Sequence, residues 1–239
     1  MRSFFHPHIN PLLYIARNLK FYPLSLTLAM ENDGPLSFIS DTFELTTCSG
    51  TKKLFSKFTT WELLNITPDV VLDIPDLLYK QYLISPTFLQ QAMYGYIIQS
   101  VPKDDPMFVK RFERDGISLN KMALVTSATK HYSWPKGAGG FTIYFHKCIS
   151  KIISNLFISF RIVAITGIGS ANLINVQVDF NARMDIKDLK TQLDECLAGK
   201  RAIYAVIAII GSTEHGACDP LMDIVTLRKE VGQKKKNSA

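Results

Sequence analysis

Short apolar runs alternate with helix-like segments from residue 116 onward, and this alternation constrains the fold more than any other feature. Residues 122–126 (MALVT), 173–178 (LINVQV) and 202–210 (AIYAVIAII) are apolar runs of strand length. The last run is apolar on both faces, which is typical of an interior strand of a parallel sheet. The order therefore predicts an α/β domain with a mostly parallel sheet, whose ligands gather at the carboxyl ends of the strands.

The predicted helices of this region have recognisable beginnings. Asp185 is an N-cap residue for the stretch IKDLKTQLDECL, and Asp219-Pro220 starts the stretch LMDIVTLRKE with a cap and a proline at the first helical position. In the first helix the apolar residues recur at 3.6-residue spacing on one face: Ile186, Leu189, Leu193 and Leu197. Residues 31–115 are less regular, and mixed helices and loops are expected there.

Composition excludes several classes of protein. The four cysteines are scattered, without a CxxC pair, so free thiols and a cytoplasmic location are expected, with no metal site. No apolar stretch reaches the length of a membrane span, and residues 1–13 make a poor signal peptide. The net charge of +6 comes from residues 139–163 and 231–239, which each hold three basic residues and no acid. The rest of the chain is neutral, which argues against a nucleic-acid partner.

Two polar turns follow predicted strands, at 128–133 (ATKHYS) and 211–217 (GSTEHGA). A histidine such as His131 can stack on a flat cofactor, and a hydroxyl in a glycine-flanked turn, such as that of Thr213, can contact a ring substituent or a phosphate. Taken alone, each residue also has a plain structural explanation. His131 then caps a helix or lies on the surface, and Thr213 bonds its own backbone.

The amino-acid sequence of several segments resembles that of the group II pyridoxal-phosphate-dependent amino-acid decarboxylases, most of all the tyrosine decarboxylase branch. The segments are TKHYSWPKGA, AITGIGSANLINVQVDFNARMD and AVIAIIGSTEHGACDPLMDIVTLRKE, with ARNLKFYPLSL and LFSKFTTWELLNITPDVVLDIPD upstream. The resemblance runs from about Leu13 to Glu230 with one interruption. It implies pyridoxal 5'-phosphate as cofactor and an amino acid, tyrosine or another aromatic one, as substrate. Glutamate is a weaker alternative.

The resemblance also implies roles for single residues. His131 occupies the place of the family histidine that lies over the pyridine ring, and Thr213 occupies a position that contacts the cofactor. Asp219 matches the helix cap that fixes the second turn. Lys136 matches a lysine of the helix surface, and His215 is expected to be an exposed turn residue.

The resemblance leaves catalytic groups unmatched. In the family, the Schiff-base lysine and the aspartate that holds the ring nitrogen lie downstream of the LRKE helix, so the 239 residues are expected to be inactive as they stand. We therefore expect an incomplete large domain of the aspartate-aminotransferase-like enzymes (fold type I). Its predicted parts are an N-terminal part at 1–115, a central cofactor-binding part at 116–230 and a tail outside the family at 231–239. The family is dimeric, and dimerisation of this chain is left open.

Residues 139–163 interrupt the resemblance, and their removal joins HYSWPKGA to AITGIGS without a gap. The 25 codons permit a GT…AG excision that rebuilds alanine, so a translated intron is one interpretation. The alternative is a basic amphipathic helix, since Phe and Ile side chains recur at helical spacing opposite Lys147 and Lys151. Such a helix would make the chain a non-catalytic protein that associates with a partner or a membrane.

Overall fold

The computed structural model describes residues 9–31, 33–98, 111–117, 122–130 and 172–237, with side chains from residue 15 to residue 232. These residues divide into two compact units. One unit takes in the described residues of Met1–Arg17 and Leu119–Ile224, and the other takes in those of Asn18–Ile98, Asp104–Ser118 and Val225–Ala239. The helices and strands, in chain order, are α1 (Ile9–Met30), β1 (Glu44–Thr46), β2 (Lys52–Leu54), α2 (Thr60–Leu64), α3 (Pro68–Tyr82), α4 (Pro86–Met93), β3 (Ala123–Ser127), β4 (Leu173–Val176), α5 (Ile186–Ala198), β5 (Ile203–Ile207) and α6 (Leu221–Asn237).

The first unit contains a three-stranded sheet in the order β4-β3-β5. Both pairings are parallel, with Ser127 opposite Val176 on one side and Thr126 opposite Ile207 on the other. Every residue of β3 is buried, and a strand lies on each side of it. The predicted α/β architecture with a mostly parallel sheet is confirmed for the described residues.

The predicted place of the third strand in the sheet needs a correction. The apolar run at 202–210 was expected to be an interior strand, but within the described part of the chain β5 pairs only with β3 and lies at the edge. Four of its five residues are partly exposed. Apolar residues on both faces of a strand predict that other elements pack against both faces. They do not determine whether the strand lies in the interior or at the edge of the sheet.

Helix α5 begins where the sequence predicts. The Asp185 side chain accepts hydrogen bonds from the amides of Lys187 (2.7 Å) and Asp188 (3.4 Å). Leu189, Leu193 and Cys196 are buried along one face. Helix α6 begins at Leu221, one residue later than expected, and runs through the lysine-rich residues to Asn237.

The second unit joins helices to a small antiparallel hairpin of β1 and β2, which the sequence analysis missed. Three-residue strands are too short to show an alternating pattern. The hairpin is covered by aromatic packing: the ring centroids of Phe43 and Phe55 are 5.5 Å apart, and those of Phe55 and Phe58 are 5.4 Å apart. The predicted mixture of helices and loops at 31–115 is otherwise confirmed by α2, α3 and α4.

Helix α2 shows how this unit is tied to a distant segment. Thr59 and Glu62 form a capping box, with the Thr59 amide 2.7 Å from the Glu62 carboxylate. The next amide, of Thr60, donates to the carboxylate of Asp115 at 2.6 Å, across 55 residues of sequence. Partial burial acts to raise the pKa of Asp115, but hydrogen bonds from Arg114 and Thr60 outweigh it and lower that pKa.

Candidate functional site

The carboxyl ends of the three parallel strands lie at one edge of the sheet, which we call the carboxyl edge. The segments that leave the sheet there are 128–130 after β3, 177–185 after β4 and 208–219 after β5. Open α/β sheets bind ligands at this edge, so its loops are the place to look for function.

The loop after β5 is a compact turn held by its own backbone. Gly211 and Gly216 have positive φ angles of 84° and 62°, which glycine adopts without strain. The amides of Gly211 and Ser212 both donate to the carbonyl oxygen of Ala217, at 3.0 and 2.9 Å. The Ser212 hydroxyl oxygen accepts from the Ala217 amide at 3.1 Å. This network leaves the side chain of Thr213 exposed at the tip of the turn.

Asp219 fixes the base of this turn. Its side chain is buried, at 5% exposure, and its two carboxylate oxygens accept hydrogen bonds from the amides of Ile209 (2.7 Å) and Met184 (2.8 Å). Asp219 was predicted to be the helix cap that fixes the turn. In the structure its carboxylate joins the turn to the loop after β4, and its role as a helix cap stays a prediction.

The loop after β4 is organised by a second aspartate, Asp179. Its carboxylate accepts from the backbone amides of Asn181 (2.8 Å) and Arg183 (2.9 Å) and from the Arg183 guanidinium, where the Nη2–Oδ2 distance is 2.9 Å. These bonds, the backbone bond from Arg183 foremost, lower the pKa of Asp179. Phe180 stands fully exposed on the same loop.

The end of β3 carries polar side chains. The hydroxyl groups of Ser127 and Thr129 are hydrogen-bonded at 2.9 Å. The amine of Lys130 donates to the side-chain oxygen of Asn175 on β4, and partial burial lowers the pKa of this lysine. The Thr126 hydroxyl is fully buried and has no hydrogen-bond partner among the described residues.

The structure describes only some of the predicted residues. Thr213 lies in an exposed turn at the carboxyl edge, and His215 is exposed in the same turn, as expected. His131, Lys136 and the segment 139–163 lie outside the described residues. Lys130, the neighbour of His131 in the chain, is at the carboxyl edge, but whether the side chains of His131 and Thr213 approach each other stays a prediction.

Sequence reasoning missed the link between Met184 and Asp219 and the contact between Lys130 and Asn175. An aspartate followed by proline at the end of a glycine-rich turn was a signal for a fixed turn, but nothing in the sequence indicated which distant amide it binds. The lysine preceding His131 carried no pattern of its own.

Three of the cysteines are described, Cys48, Cys196 and Cys218, and all are free thiols, as predicted. In the described part of the chain, no group of three or more histidine, cysteine, aspartate or glutamate side chains is placed to hold a metal ion. Among the same residues, no helix combines the length and the apolar character that crossing a membrane requires.

Comparison with known proteins gives the relationship. Over 220 residues, 92% of this chain, the sequence is 28% identical to an L-tyrosine decarboxylase of Levilactobacillus brevis. The chain is thus similar in sequence to L-tyrosine decarboxylases. An L-tyrosine decarboxylase of Enterococcus faecalis is 26% identical over 219 residues, again 92% of this chain. The predicted resemblance to the tyrosine decarboxylase branch of the group II decarboxylases is thereby confirmed.

The match to these L-tyrosine decarboxylases is partial on their side. This chain spans about a quarter of their length, 24% of each. A crystal structure of mouse CSAD is 28% identical in sequence and superposes with a TM-score of 0.34, covering 47% of this chain and 18% of that one. No family model matches the chain.

Proposed function

We propose that this chain supplies part of a pyridoxal-phosphate-dependent decarboxylase, a carboxy-lyase that converts an L-amino acid, tyrosine or another aromatic one, to its amine and carbon dioxide. The relationship to L-tyrosine decarboxylases over 92% of the chain supports the reaction class. One structural observation carries the site: the turn at 211–217 presents the exposed Thr213 side chain at the carboxyl edge of a parallel sheet.

In this proposal the sheet of β4, β3 and β5 belongs to an incomplete large domain of fold type I. Residues 116–230 form the central cofactor-binding part, residues 1–115 form the N-terminal part and residues 231–239 lie outside the family. A homodimer, as in the family, and a cytoplasmic location belong to the same proposal.

The side chains at the carboxyl edge fit a flat cofactor with a phosphate. Thr213 offers an exposed hydroxyl, and Lys130 offers a cation. The carboxylates of Asp179 and Asp219 accept hydrogen bonds from nearby amides, so their negative charges are offset by fixed donors. The edge therefore offers a hydroxyl donor and a cation to a phosphate, while Glu214, exposed next to Thr213, is the carboxylate of the same turn that opposes it.

When bound, pyridoxal phosphate supplies an electron sink for the electron pair that is released with carbon dioxide. Thr213 would donate a hydrogen bond to the cofactor, and the hydrogen-bonded turn would hold this hydroxyl in place. His131 would hold the ring by stacking, which would contribute roughly 0.5–1.5 kcal/mol. Both residues bind and orient, and neither is assigned the covalent step.

Binding of pyridoxine 5'-phosphate to the 239-residue chain tests this site. The compound lacks the aldehyde, so it cannot react with lysines and reports only the non-covalent fit. In equilibrium dialysis we expect saturable binding by the wild-type chain. Thr213→Val should weaken it about tenfold, because a hydrogen bond to a charged group is worth about 1.5–3 kcal/mol. Thr213→Ser keeps the hydroxyl and should stay within about threefold of wild type.

A matched pair of variants tests the stacking role. His131→Ala should weaken binding by a factor of about 2 to 10, whereas His131→Phe keeps a flat ring and should retain most of the affinity. The assignment is lost if the wild-type chain shows no saturable binding, or if the valine and serine variants at position 213 bind equally well.

Turnover is expected to require more than these residues. No lysine of the chain matches the Schiff-base lysine of the family, so a polypeptide of these 239 residues should release no carbon dioxide from L-tyrosine with pyridoxal phosphate present. Carboxyl-labelled tyrosine measures this directly. Release above the level given by free lysine and cofactor would contradict the assignment of the covalent step to a residue outside the chain.

A further inference from the structure

A cavity of about 440 Å³ lies within the second unit, and none of its lining residues belongs to the carboxyl-edge loops. Its wall comes from the end of α1, from the turns on either side of the β1–β2 hairpin and from Arg111. Met30 is the one apolar side chain of this lining, and the others are charged or carry hydroxyl groups. A cavity of this size holds a small molecule, and its lining selects a polar one.

Arg111 forms a fixed, positively charged part of the wall. Its Nη1 donates to the hydroxyl of Thr27 at 3.2 Å and to the carboxylate of Glu31 at 3.0 Å. Its side chain is only 13% exposed, whereas that of Glu31 is 48% exposed. Burial lowers the pKa of Arg111, but a guanidinium stays charged in proteins. The pair therefore places one held cation and one half-exposed carboxylate at the cavity.

The lining carries a second pair of charges, Asp41 and Lys57. The Phe55 amide donates to the Phe43 carbonyl oxygen at 2.8 Å, so the chain segments two residues away on each side run close together. Asp41 and Lys57 are both exposed and both line the cavity. Neither has an ion-pair partner among the described residues, so both charges are available to a ligand.

We propose that this cavity binds a free α-amino acid as a zwitterion. Two cations and two carboxylates line one polar space. A ligand that carries a single charge is therefore attracted by the two groups of opposite sign and repelled by the two groups of the same sign. A molecule that carries both signs a few ångströms apart is matched to both. Its carboxylate contacts Lys57, and its ammonium contacts Asp41. Ser40 and Ser56 supply hydroxyl groups beside these two residues.

This inference goes beyond the proposed decarboxylase function, since it concerns another unit and does not need the cofactor. Glycine is the sharpest probe, because it carries the two charged groups and nothing else. In equilibrium dialysis of labelled glycine against the full chain, we expect saturable binding at one site. Acetate and methylammonium, the two halves of glycine, should each compete at least tenfold less well than unlabelled glycine.

Variants of Lys57 and Asp41 test the contribution of each charge separately. Lys57→Gln and Asp41→Asn should each weaken glycine binding about tenfold or more, while Lys57→Arg, which keeps the charge, should remain within about threefold of wild type. Lys80→Gln and Asp76→Asn are matched controls, because both residues are exposed in the same unit and lie outside the cavity. These controls should change binding less than twofold.

Three results would overturn the proposal. The first is an absence of saturable glycine binding. The second is competition by acetate as strong as that by glycine, with no effect of Asp41→Asn, which would make the cavity an anion site. The third is an equal loss in the control variants, which would indicate a general charge effect. Far-ultraviolet circular dichroism of each variant checks its fold, and Lys57→Arg provides the decisive comparison if Lys57→Gln fails to fold.

Discussion

The two loops that meet at the carboxyl edge are each organised by an aspartate, but in different ways. Asp179 binds amides within its own loop, two and four residues away. Asp219 binds the amides of Ile209 and Met184, which are 10 and 35 residues away, and is buried at 5% exposure. One aspartate shapes a loop, and the other connects two loops.

This difference has an energetic consequence. A buried amide that loses its partner costs about 1–3 kcal/mol, because no water replaces the bond, whereas an exposed amide is rehydrated at little cost. Removal of Asp219 should therefore affect the whole unit. Removal of Asp179 should affect local structure. The turn that carries Thr213 depends on Asp219. The proposed cofactor contact therefore depends on a carboxylate that does not itself touch the cofactor.

The largest effect is expected for Asp219→Ala. The substitution leaves the amides of Ile209 and Met184 without their partner, so it should lower the free energy of unfolding by about 3 kcal/mol. Urea unfolding followed by circular dichroism measures it. Asp223→Ala, at an exposed position on α6, is the control and should cost less than about 1 kcal/mol.

Asp219→Asn sharpens the same test. Asparagine keeps one carbonyl oxygen and replaces the other with a donor, so one of the two amide bonds survives and the loss should lie between those of wild type and Asp219→Ala. A loss below about 1 kcal/mol for the alanine variant would mean that the two loops are held together by something other than this carboxylate.

A smaller effect is expected inside the turn itself. Ser212 is buried and accepts from the Ala217 amide, so Ser212→Ala should lower the free energy of unfolding by about 1 kcal/mol. The neighbouring Thr213→Ala removes an exposed hydroxyl and should change stability by less than about 0.5 kcal/mol. The same urea titration compares them. Equal losses would remove the distinction between a residue that builds the turn and one that faces a ligand.

The sequence predicted the parts of this region that have a repeating pattern. Local signals predicted two strands, near 122–126 and 173–178, and the helix cap at Asp185. Strand burial and helix capping depend on residues that are adjacent in the sequence. The edge position of β5 could not be predicted in the same way. It depends on which strands pair, and pairing is decided by residues far apart in the chain.

In the candidate site, too, features with a local sequence signal were predicted and long-range contacts were not. Thr213 was predicted from the glycine-flanked turn and the family resemblance; its side chain is exposed, and its contact with a cofactor stays a prediction. The bond from Asp219 to Met184 spans 35 residues and has no local signature. The cavity around Arg111 also escaped prediction, since its charges come from four separate segments. The sequence therefore predicted features that depend on local propensities, but it did not predict long-range contacts.

The smallest effect is expected for acidification of the Asp179 loop. The backbone bond from Arg183, with the other donors, lowers the pKa of Asp179 in the folded chain, so the carboxylate stabilises the loop above its ordinary pKa near 4 and loses this effect as the pH falls through the lowered value. The amide NMR signals of Asn181 and Arg183 should titrate with a midpoint below the ordinary pKa of an aspartate. Asp179→Asn should abolish that titration while leaving the Ile209 and Met184 amides unchanged. A midpoint at or above the ordinary pKa of an aspartate, or a simultaneous shift of those two amides, would contradict the separation of the two aspartates into a local role and a connecting role.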